Sequence, residues 1–436
     1  MYICSNCGKE HVKWSGQCNF CKEWNSLQEV TDTRTKKGTS IARKKDLISI
    51  NSQDFHSVQK FSTSSQELNT LLDGGFTPGS AILLSGEPGI GKSTLALQLT
   101  NMVQKSIVYV SGEENASQIL ARAQRLGIKS ENVSLLCDGN IETILATLTG
   151  TPAQIVILDS ISVMESENIA QPGSIAQVRE IASMMVEFCK AQNIVLVMIG
   201  HVNKDGNLAG PKTLEHLVDT VLYFEDRYED VRILRSLKNR FGSTGEIALF
   251  QMTGAGLIDM PSPGLEFVSS ENINAVGSSL SVTLEGSRAL VVEIEALTTY
   301  TKFGYPKRSS RGIPNQKLDI ILAVLGKYSP VKLESYDVYA NIMRGMNISE
   351  PGIDLSIAAA VISSKLEIPL PKNAVFIGEI SLTGRIKNCF GIEKRIKQAK
   401  KLQFVHIVLP KQTKMEKAYL EVSTIVELVK LIQGYK

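Results

Sequence analysis

The nine residues Gly86-Glu87-Pro88-Gly89-Ile90-Gly91-Lys92-Ser93-Thr94 carry the spacing G-x-x-x-x-G-K-[S/T] of a loop that wraps phosphate. Gly86, Gly89 and Gly91 let backbone N–H groups converge on phosphate oxygens. The Lys92 ammonium reaches the terminal phosphates, and the Ser93 hydroxyl suits Mg²⁺. The run follows the apolar segment 81–85, which reads as a strand, and opens a helix expected over 94–103. A helix start of that kind aims its N–H groups at an anion. Hydrolysis needs two further groups, a carboxylate for the metal's water shell and a base or water-orienting residue. Asp159, directly after Ile155-Val-Ile-Leu158, fits the first role. Glu113 or Glu114, after the strand ending at Ser111, fits the second, with Glu113 preferred. His201 ends the strand expected at 194–199 and is a candidate sensor of the γ-phosphate, feeding a glycine-containing stretch, 203–212. The chemistry expected is ATP hydrolysis, with Mg²⁺ as cofactor.

A second constellation opens the chain. Cys4-Ser-Asn-Cys7 and Cys18-Asn-Phe-Cys21 are two C-x₂-C knuckles separated by ten residues. Four thiolates suit tetrahedral Zn²⁺, and a closed four-ligand set makes the ion structural. His11 is a spare candidate ligand. The other three of the seven cysteines are scattered, unlike a disulfide framework.

The elements that must position these groups fall into segments. Residues 1–27 hold the four cysteines and both tryptophans, Trp14 and Trp24. Residues 28–55 read as a basic linker, with Arg34, Lys36, Lys37, Arg43, Lys44 and Lys45 among polar neighbours. From 56 to 262, apolar runs at 81–85, 107–111, 155–158 and 194–199 alternate with helical segments, which predicts a parallel α/β sheet covered on both faces. Ser174 and Gln177 predict a capping box for the last of those helices, whose core face includes Cys189. Strands over 221–225, 231–237 and 246–250 should extend the sheet on one side. After the turn cluster at 261–264, residues 266–436 read as an α+β domain with strands near 280–284, 289–296, 374–382 and 405–409. Its helices are expected near 315–327, 354–366 and 392–403. A net charge of +3 is too small to name a partner. The opening residues lack a signal-peptide pattern and no apolar run approaches 18 residues, so the expectation is a cytoplasmic protein with no membrane partner.

Several segments together resemble the bacterial RadA (Sms) family along essentially the whole chain. They are the cysteine knuckles, the loop 86–94, Tyr109-Val-Ser-Gly-Glu-Glu114, Gly200-His-Val-Asn-Lys204, Ala209-Gly-Pro-Lys212 and Lys238-Asn-Arg-Phe-Gly242. The resemblance implies a RecA-like P-loop ATPase core between a C4 zinc module and a Lon-protease-like domain. It also implies a hexameric ring that translocates on single-stranded DNA and drives branch migration of recombination intermediates with the RecA recombinase. In that family the 238–242 motif lies near the subunit interface, and Lys238 or Arg240 would reach a neighbour's γ-phosphate. Lys204 and Lys212 become candidates for DNA contact. The zinc module would contact a partner or DNA.

The final domain shows its likeness to Lon proteases at Gly378-Glu-Ile-Ser-Leu-Thr-Gly-Arg385. Lon-type chemistry needs a serine activated by a lysine. Alignment places Asp354 and Glu393 at those positions, with Ser356 and Lys394 nearby as the competing register. Two carboxylates cannot do Ser–Lys chemistry, so an ATP-dependent protease is the alternative activity, and a RecA-like ATPase acting on protein partners is another. From 385 to 414, nine Lys/Arg (385, 387, 394, 395, 397, 400, 401, 411, 414) face one acid, Glu393. That basic run makes Lys397, Lys400 and Lys401 candidates for duplex contact.

Overall fold

A computed structural model describes residues 2–6, 9–29, 59–129, 131–169, 174–200, 214–225, 230–260, 268, 275–301, 304–343, 346–411 and 419–435. Cys7, His201, Lys204, Lys212 and nearly all of the basic linker lie outside them. The chain divides into two compact units, Met1–Met260 and Pro261–Lys436.

The first unit begins with a small antiparallel sheet, β1 (Tyr2–Cys4), β2 (Glu10–His11) and β3 (Leu27–Glu29), ordered β2-β1-β3. Its described core is little more than Cys4, Cys18 and Leu27, with Tyr2 and Cys21 packed against them. So few apolar groups cannot hold a fold of this size without a cross-link or an ion.

The remainder of that unit is built on a nine-stranded sheet. Its strands are β4 (Ala81–Gly86), β5 (Ile107–Ser111), β6 (Val133–Cys137), β7 (Ile155–Asp159), β8 (Val195–Ile199), β9 (Thr220–Phe224), β10 (Val231–Asn239), β11 (Ile247–Thr253) and β12 (Gly256–Asp259). They are ordered β12-β11-β10-β9-β4-β8-β7-β5-β6. The six strands from β9 to β6 run parallel, and β10 to β12 continue antiparallel. Every residue of β4, β5, β7 and β8 is buried, as continuous apolar runs require, and separate core clusters cover the two faces. The helix Ile175–Ala191 starts where Ser174 accepts the Gln177 N–H, and Cys189 on its core face is 1% exposed.

Two strands of this sheet were not legible in the sequence. β6 is a half-buried edge strand interrupted by Ser134, and β12 begins on Gly256, so neither shows a clear period. The helix after the phosphate loop begins at Lys92 rather than Thr94, because Gly91 already serves as its N-cap.

The second unit contains β13 (Ser278–Glu285), β14 (Arg288–Tyr300), β15 (Arg308–Arg311), β16 (Tyr336–Ile342), β17 (Ala374–Phe376), β18 (Glu379–Ile380), β19 (Ile386–Lys387), β20 (His406–Pro410) and β21 (Leu420–Val422). Seven of them form one sheet, ordered β15-β16-β14-β13-β17-β20-β21, and β18 pairs with β19. The helices Asn315–Tyr328, Asp354–Leu366 and Ile392–Lys401 stand where the periodicity placed them, and Ile425–Gln433 adds a fourth. The expected strand at 374–382 is broken in two at Ile377-Gly378, where the Gly378 N–H turns to the Gly352 carbonyl instead of continuing the ladder.

Candidate active site

β4, β5 and β7 deliver their last residues to one edge of the sheet, and there the candidate groups meet. Gly86 ends β4 at φ 146°, and a side chain there would strike Phe224 Cβ at 2.9 Å. Gly91 has φ 122°, with Met252 Cε 2.8 Å from the position a Cβ would take. Gly86 is therefore demanded both by backbone conformation and by space, and Gly91 by its backbone conformation, since the Met252 methyl can move aside. The loop lies against Phe224 of β9, the last parallel strand, and Met252 of β11 in the antiparallel extension.

Lys92 is 4% exposed, and its ammonium donates to the carbonyls of Gly86 at 2.7 Å and Glu87 at 2.8 Å. Burial pulls its pKa down to about 8, while the charges of Asp159, Glu113 and Glu87 push it back up. Ser93 Oγ donates to Asp159 Oδ1 at 3.2 Å. Two oxygen donors this close suit Mg²⁺, which takes carboxylate and hydroxyl ligands and keeps several waters. The other Asp159 oxygen accepts from Tyr109 Oη at 2.5 Å. Tyr109 is 1% exposed, and burial followed by the Asp159 charge raises its phenol far above the usual range, so it serves only as a donor.

The two glutamates after β5 take different partners. Glu113 Oε1 accepts from Ser160 Oγ at 2.5 Å, and Ser160 Oγ also lies 2.7 Å from Ser162 Oγ. Glu114 is instead paired with Arg122, on the helix Ala116–Arg125. Glu113 is thus tied to the residue after Asp159, whereas Glu114 is engaged by a guanidinium.

The strand expected over 231–237 runs on into the motif 238–242. Lys238 and Asn239 complete β10, after a register shift between Ser236 and Lys238. They pair with Val221 and Thr220 at the start of β9, and Thr220 pairs with Ile82 at the start of β4. The motif therefore occupies the sheet edge opposite the phosphate loop, about 13 Å or more from it at roughly 3.3 Å per residue. Lys238 Nζ donates to the Glu215 and Val218 carbonyls at 2.6 and 2.7 Å. Burial and the neighbouring Arg240 charge pull its pKa below the ordinary value. Arg240, with a side chain 55% exposed, reaches Asp219 Oδ1 at 3.1 Å. Asp219 also accepts from Lys190 Nζ at 3.1 Å and from the Ala81 N–H at 3.0 Å.

At the amino terminus the sulfurs of Cys4, Cys18 and Cys21 lie within 4.8 Å of one another. His11 Nε2 sits 3.3 Å from Cys18 Sγ without joining that group. Burial opposes a thiolate at Cys18, yet the amides of Cys21 and Phe20, with His11 and Cys21, outweigh it and bring the thiol down to about 5. A thiol ionised at neutral pH is a ready ligand for zinc. Stripping the metal with a strong chelator is expected to unfold this module alone. Trp14 and Trp24 are the chain's two tryptophans and both lie in this module, so any change in emission reports on it alone, while the far-ultraviolet circular dichroism of the nine-stranded sheet should stay unchanged.

Residues 2–29 match a family model described as a rubredoxin metal binding domain, residues 50–207 an AAA domain, and residues 344–413 subunit ChlI of Mg-chelatase. The DNA repair protein RadA of Aquifex aeolicus is 40% identical over 99% of this chain and 98% of its own length. The chain belongs to the RadA family of DNA repair proteins. RadA of Rickettsia bellii is 41% identical over 99% of this chain and 98% of its own, and RadA of Listeria monocytogenes 39% over 94% and 92%. Among solved structures, the RadB recombinase is 24% identical, with a TM-score of 0.37, over 45% of this chain and 97% of its own. The architecture is a RecA-like ATPase core with an amino-terminal zinc ribbon and a carboxy-terminal ChlI/Lon-like domain.

Of the two carboxylates expected at the Ser–Lys positions, Asp354 is in an ion pair with Lys317. Asp354 Oδ1 accepts from Lys317 Nζ at 2.6 Å, and Oδ2 accepts from the Ile380 N–H at 3.4 Å. Glu393 is exposed in the first turn of its helix. Ser356 is fully buried, and its hydroxyl lies 2.7 Å from Ser279 Oγ. Burial pushes the Asp354 carboxyl up to about 6 from 3.8, with Lys317 drawing it partly back. A carboxyl raised by folding contributes stability that is complete below the unfolded pKa and lost as pH rises through the folded one. The urea midpoint should therefore fall between about pH 4 and pH 7, and Asp354→Asn should flatten that slope in circular dichroism.

The basic run of this domain is narrower at the surface than its sequence suggests. Arg395 is 1% exposed and forms a bidentate pair with Glu350 at 2.6 and 2.7 Å, with its NH1 also on the Val282 carbonyl at 2.5 Å. It is a core residue, and Lys414 lies outside the described residues. Lys397, Lys400 and Lys401 are exposed on one helix, with Lys400 Nζ 5.1 Å from the Tyr419 ring centroid. Ser160 and Asp219 escaped the motif reading, and Tyr109 was in a motif without an assigned role, because each acts through a partner distant in sequence. A tyrosine inside an otherwise apolar buried strand is the one local hint, since its hydroxyl needs a partner.

Proposed function

We propose that this protein is a DNA-stimulated ATPase that works as a hexameric ring, translocates on single-stranded DNA and extends branched recombination intermediates with the RecA recombinase. The observation that carries this reading is the position of Lys238–Gly242, at the sheet edge opposite the subunit's own phosphate loop. Cations there are too far to serve their own nucleotide, so they act on a neighbour's, and a ring supplies every subunit with such a neighbour.

In this reading Gly86–Thr94 encloses the ATP phosphates with its amides, and Lys92 turns from the Gly86 and Glu87 carbonyls to the β- and γ-phosphates. Ser93 and Asp159 hold Mg²⁺, which neutralises phosphate charge, and Tyr109 fixes the second Asp159 oxygen. Glu113 orients the attacking water, Ser160 holds Glu113, and Arg240 meets the γ-phosphate from the adjacent subunit. His201 senses the γ-phosphate, Lys204 and Lys212 contact the single strand, and Lys397, Lys400 and Lys401 contact duplex. The protease alternative loses support from the burial of Ser356 and the Asp354–Lys317 pair.

The test measures ATP turnover with no DNA, with single-stranded DNA and with forked DNA, for the wild type, Lys92→Ala and Arg240→Ala. DNA stimulation in the wild type and its loss in both variants is expected. Turnover indifferent to DNA would remove the motor reading and favour a protein partner, and casein breakdown that depends on Ser356 would revive the protease.

A further inference from the structure

β10 meets the nucleotide machinery at both of its ends. Its pairing places Leu234 opposite Phe224, which is opposite Gly86, so the residues before Leu234 lie beside the phosphate loop. There Arg232, 7% exposed, donates from Nε to the carbonyl of Ile90 at 3.2 Å, inside the loop itself. Its NH1 returns to the Val231 carbonyl at 2.9 Å, which anchors the guanidinium to its own strand. At the other end, about 25 Å along the chain at strand spacing, stand Lys238 and Arg240.

Between those ends the strand is paired on at least one side along its length except at Leu237. Val231 to Leu234 are buried, Val231 to Arg235 pair with β11, and Leu234 to Asn239 pair with β9, with Leu234 and Arg235 held on both sides. The single irregularity in its pairing with β9 lies between Ser236 and Lys238, directly before the motif. A strand whose two halves are paired to different neighbours and joined through a doubly paired centre carries displacement along its axis, and a buried guanidinium on a loop carbonyl passes that movement on, since breaking the bond costs a buried hydrogen bond. Ile90, the loop residue held this way, is itself fully buried, so it cannot relax into solvent.

We infer that Arg232 is a positioning residue that couples each subunit's phosphate loop to its own Lys238–Gly242 motif through β10. The state of the neighbour's nucleotide, felt by Arg240, would then set the loop geometry of the subunit that carries it. This rests on the motif acting on the neighbouring nucleotide, and it adds the path by which successive sites know of one another.

A double-mutant cycle on the full-length protein tests it, with Arg232→Met, Arg240→Lys and the pair. kcat and KM are read in the presence of single-stranded DNA, and a fluorescent ATP analogue reports binding. Arg232→Met is expected to lower kcat about 3- to 30-fold, the usual range for a coupling residue, with analogue affinity changed far less. The double variant should be no slower than the slower single. Losses that multiply, an unchanged kcat in Arg232→Met, or loss of analogue binding in step with kcat would each overturn the coupling role. An Arg240→Lys kcat equal to wild type would instead overturn the underlying action on the neighbour. Should Arg232→Met lose its cooperative unfolding transition, Arg232→Lys, which keeps the charge and a donor, goes through the same cycle with the same criteria.

Discussion

Arg240→Ala should lower kcat for ATP hydrolysis by about 10³-fold or more, the range for a cationic finger supplied by a neighbouring subunit. Two cations of the motif compete for that role, and their surroundings separate them. Lys238 is committed to two carbonyls of its own chain, at Glu215 and Val218, and burial has already lowered its pKa. Its replacement should loosen the 214–219 turn and destabilise the subunit. Arg240 has a half-exposed side chain and one carboxylate partner, Asp219, which it shares with Lys190. A guanidinium held at the surface by a shared carboxylate can exchange that partner for a phosphate at small cost. Mixing Arg240→Ala with excess Lys92→Ala subunits is the decisive measurement. If Arg240 acts on a neighbouring site, the mixture regains turnover, because an intact loop then meets an intact finger across some subunit contacts. Equal inactivity of the mixture and the separate variants would place Arg240 in its own subunit's chemistry.

Glu113→Gln should lower kcat by about 10² to 10⁴-fold, the contribution of a positioned general base or water-orienting group, with ATP affinity retained. The amide keeps the size of the side chain and removes its basicity. Glu114→Gln provides the contrast. It weakens the pair with Arg122, a partly exposed interaction worth roughly 0–1 kcal/mol, and should leave kcat within a few-fold of wild type. A Glu114→Gln loss exceeding that of Glu113→Gln would reverse the assignment. Ser160→Ala, which frees Glu113 Oε1 from its 2.5 Å hydrogen bond, should give a smaller kcat loss, with KM unchanged.

The difference between those two glutamates shows how far local pattern reaches. Adjacent in sequence after the same strand, they present the same chemistry to any reading of spacing. Their fates are decided by what the fold brings alongside, Ser160 from the end of β7 in one case and Arg122 from the following helix in the other. Arg395 makes the same point from the other direction. Counted along the chain it adds to a basic surface, yet Glu350 draws it into the core. Charge along a sequence reports what a segment carries, while burial and pairing decide what solvent and DNA can reach.

The sequence by itself determined the phosphate loop, the parallel order that sets β4, β5 and β7 at one edge, and the cysteine knuckles. These depend on short-range requirements: glycines where φ is positive, continuous apolar strands, and paired thiols at fixed spacing. Tertiary structure alone decided which edge of the sheet holds Lys238–Gly242, that Tyr109 and Ser93 share Asp159, and that Arg232 reaches Ile90. Those facts follow from strand order and register among segments far apart in the chain, where pairing is set by the packing of the whole sheet and leaves no periodic mark on any one strand.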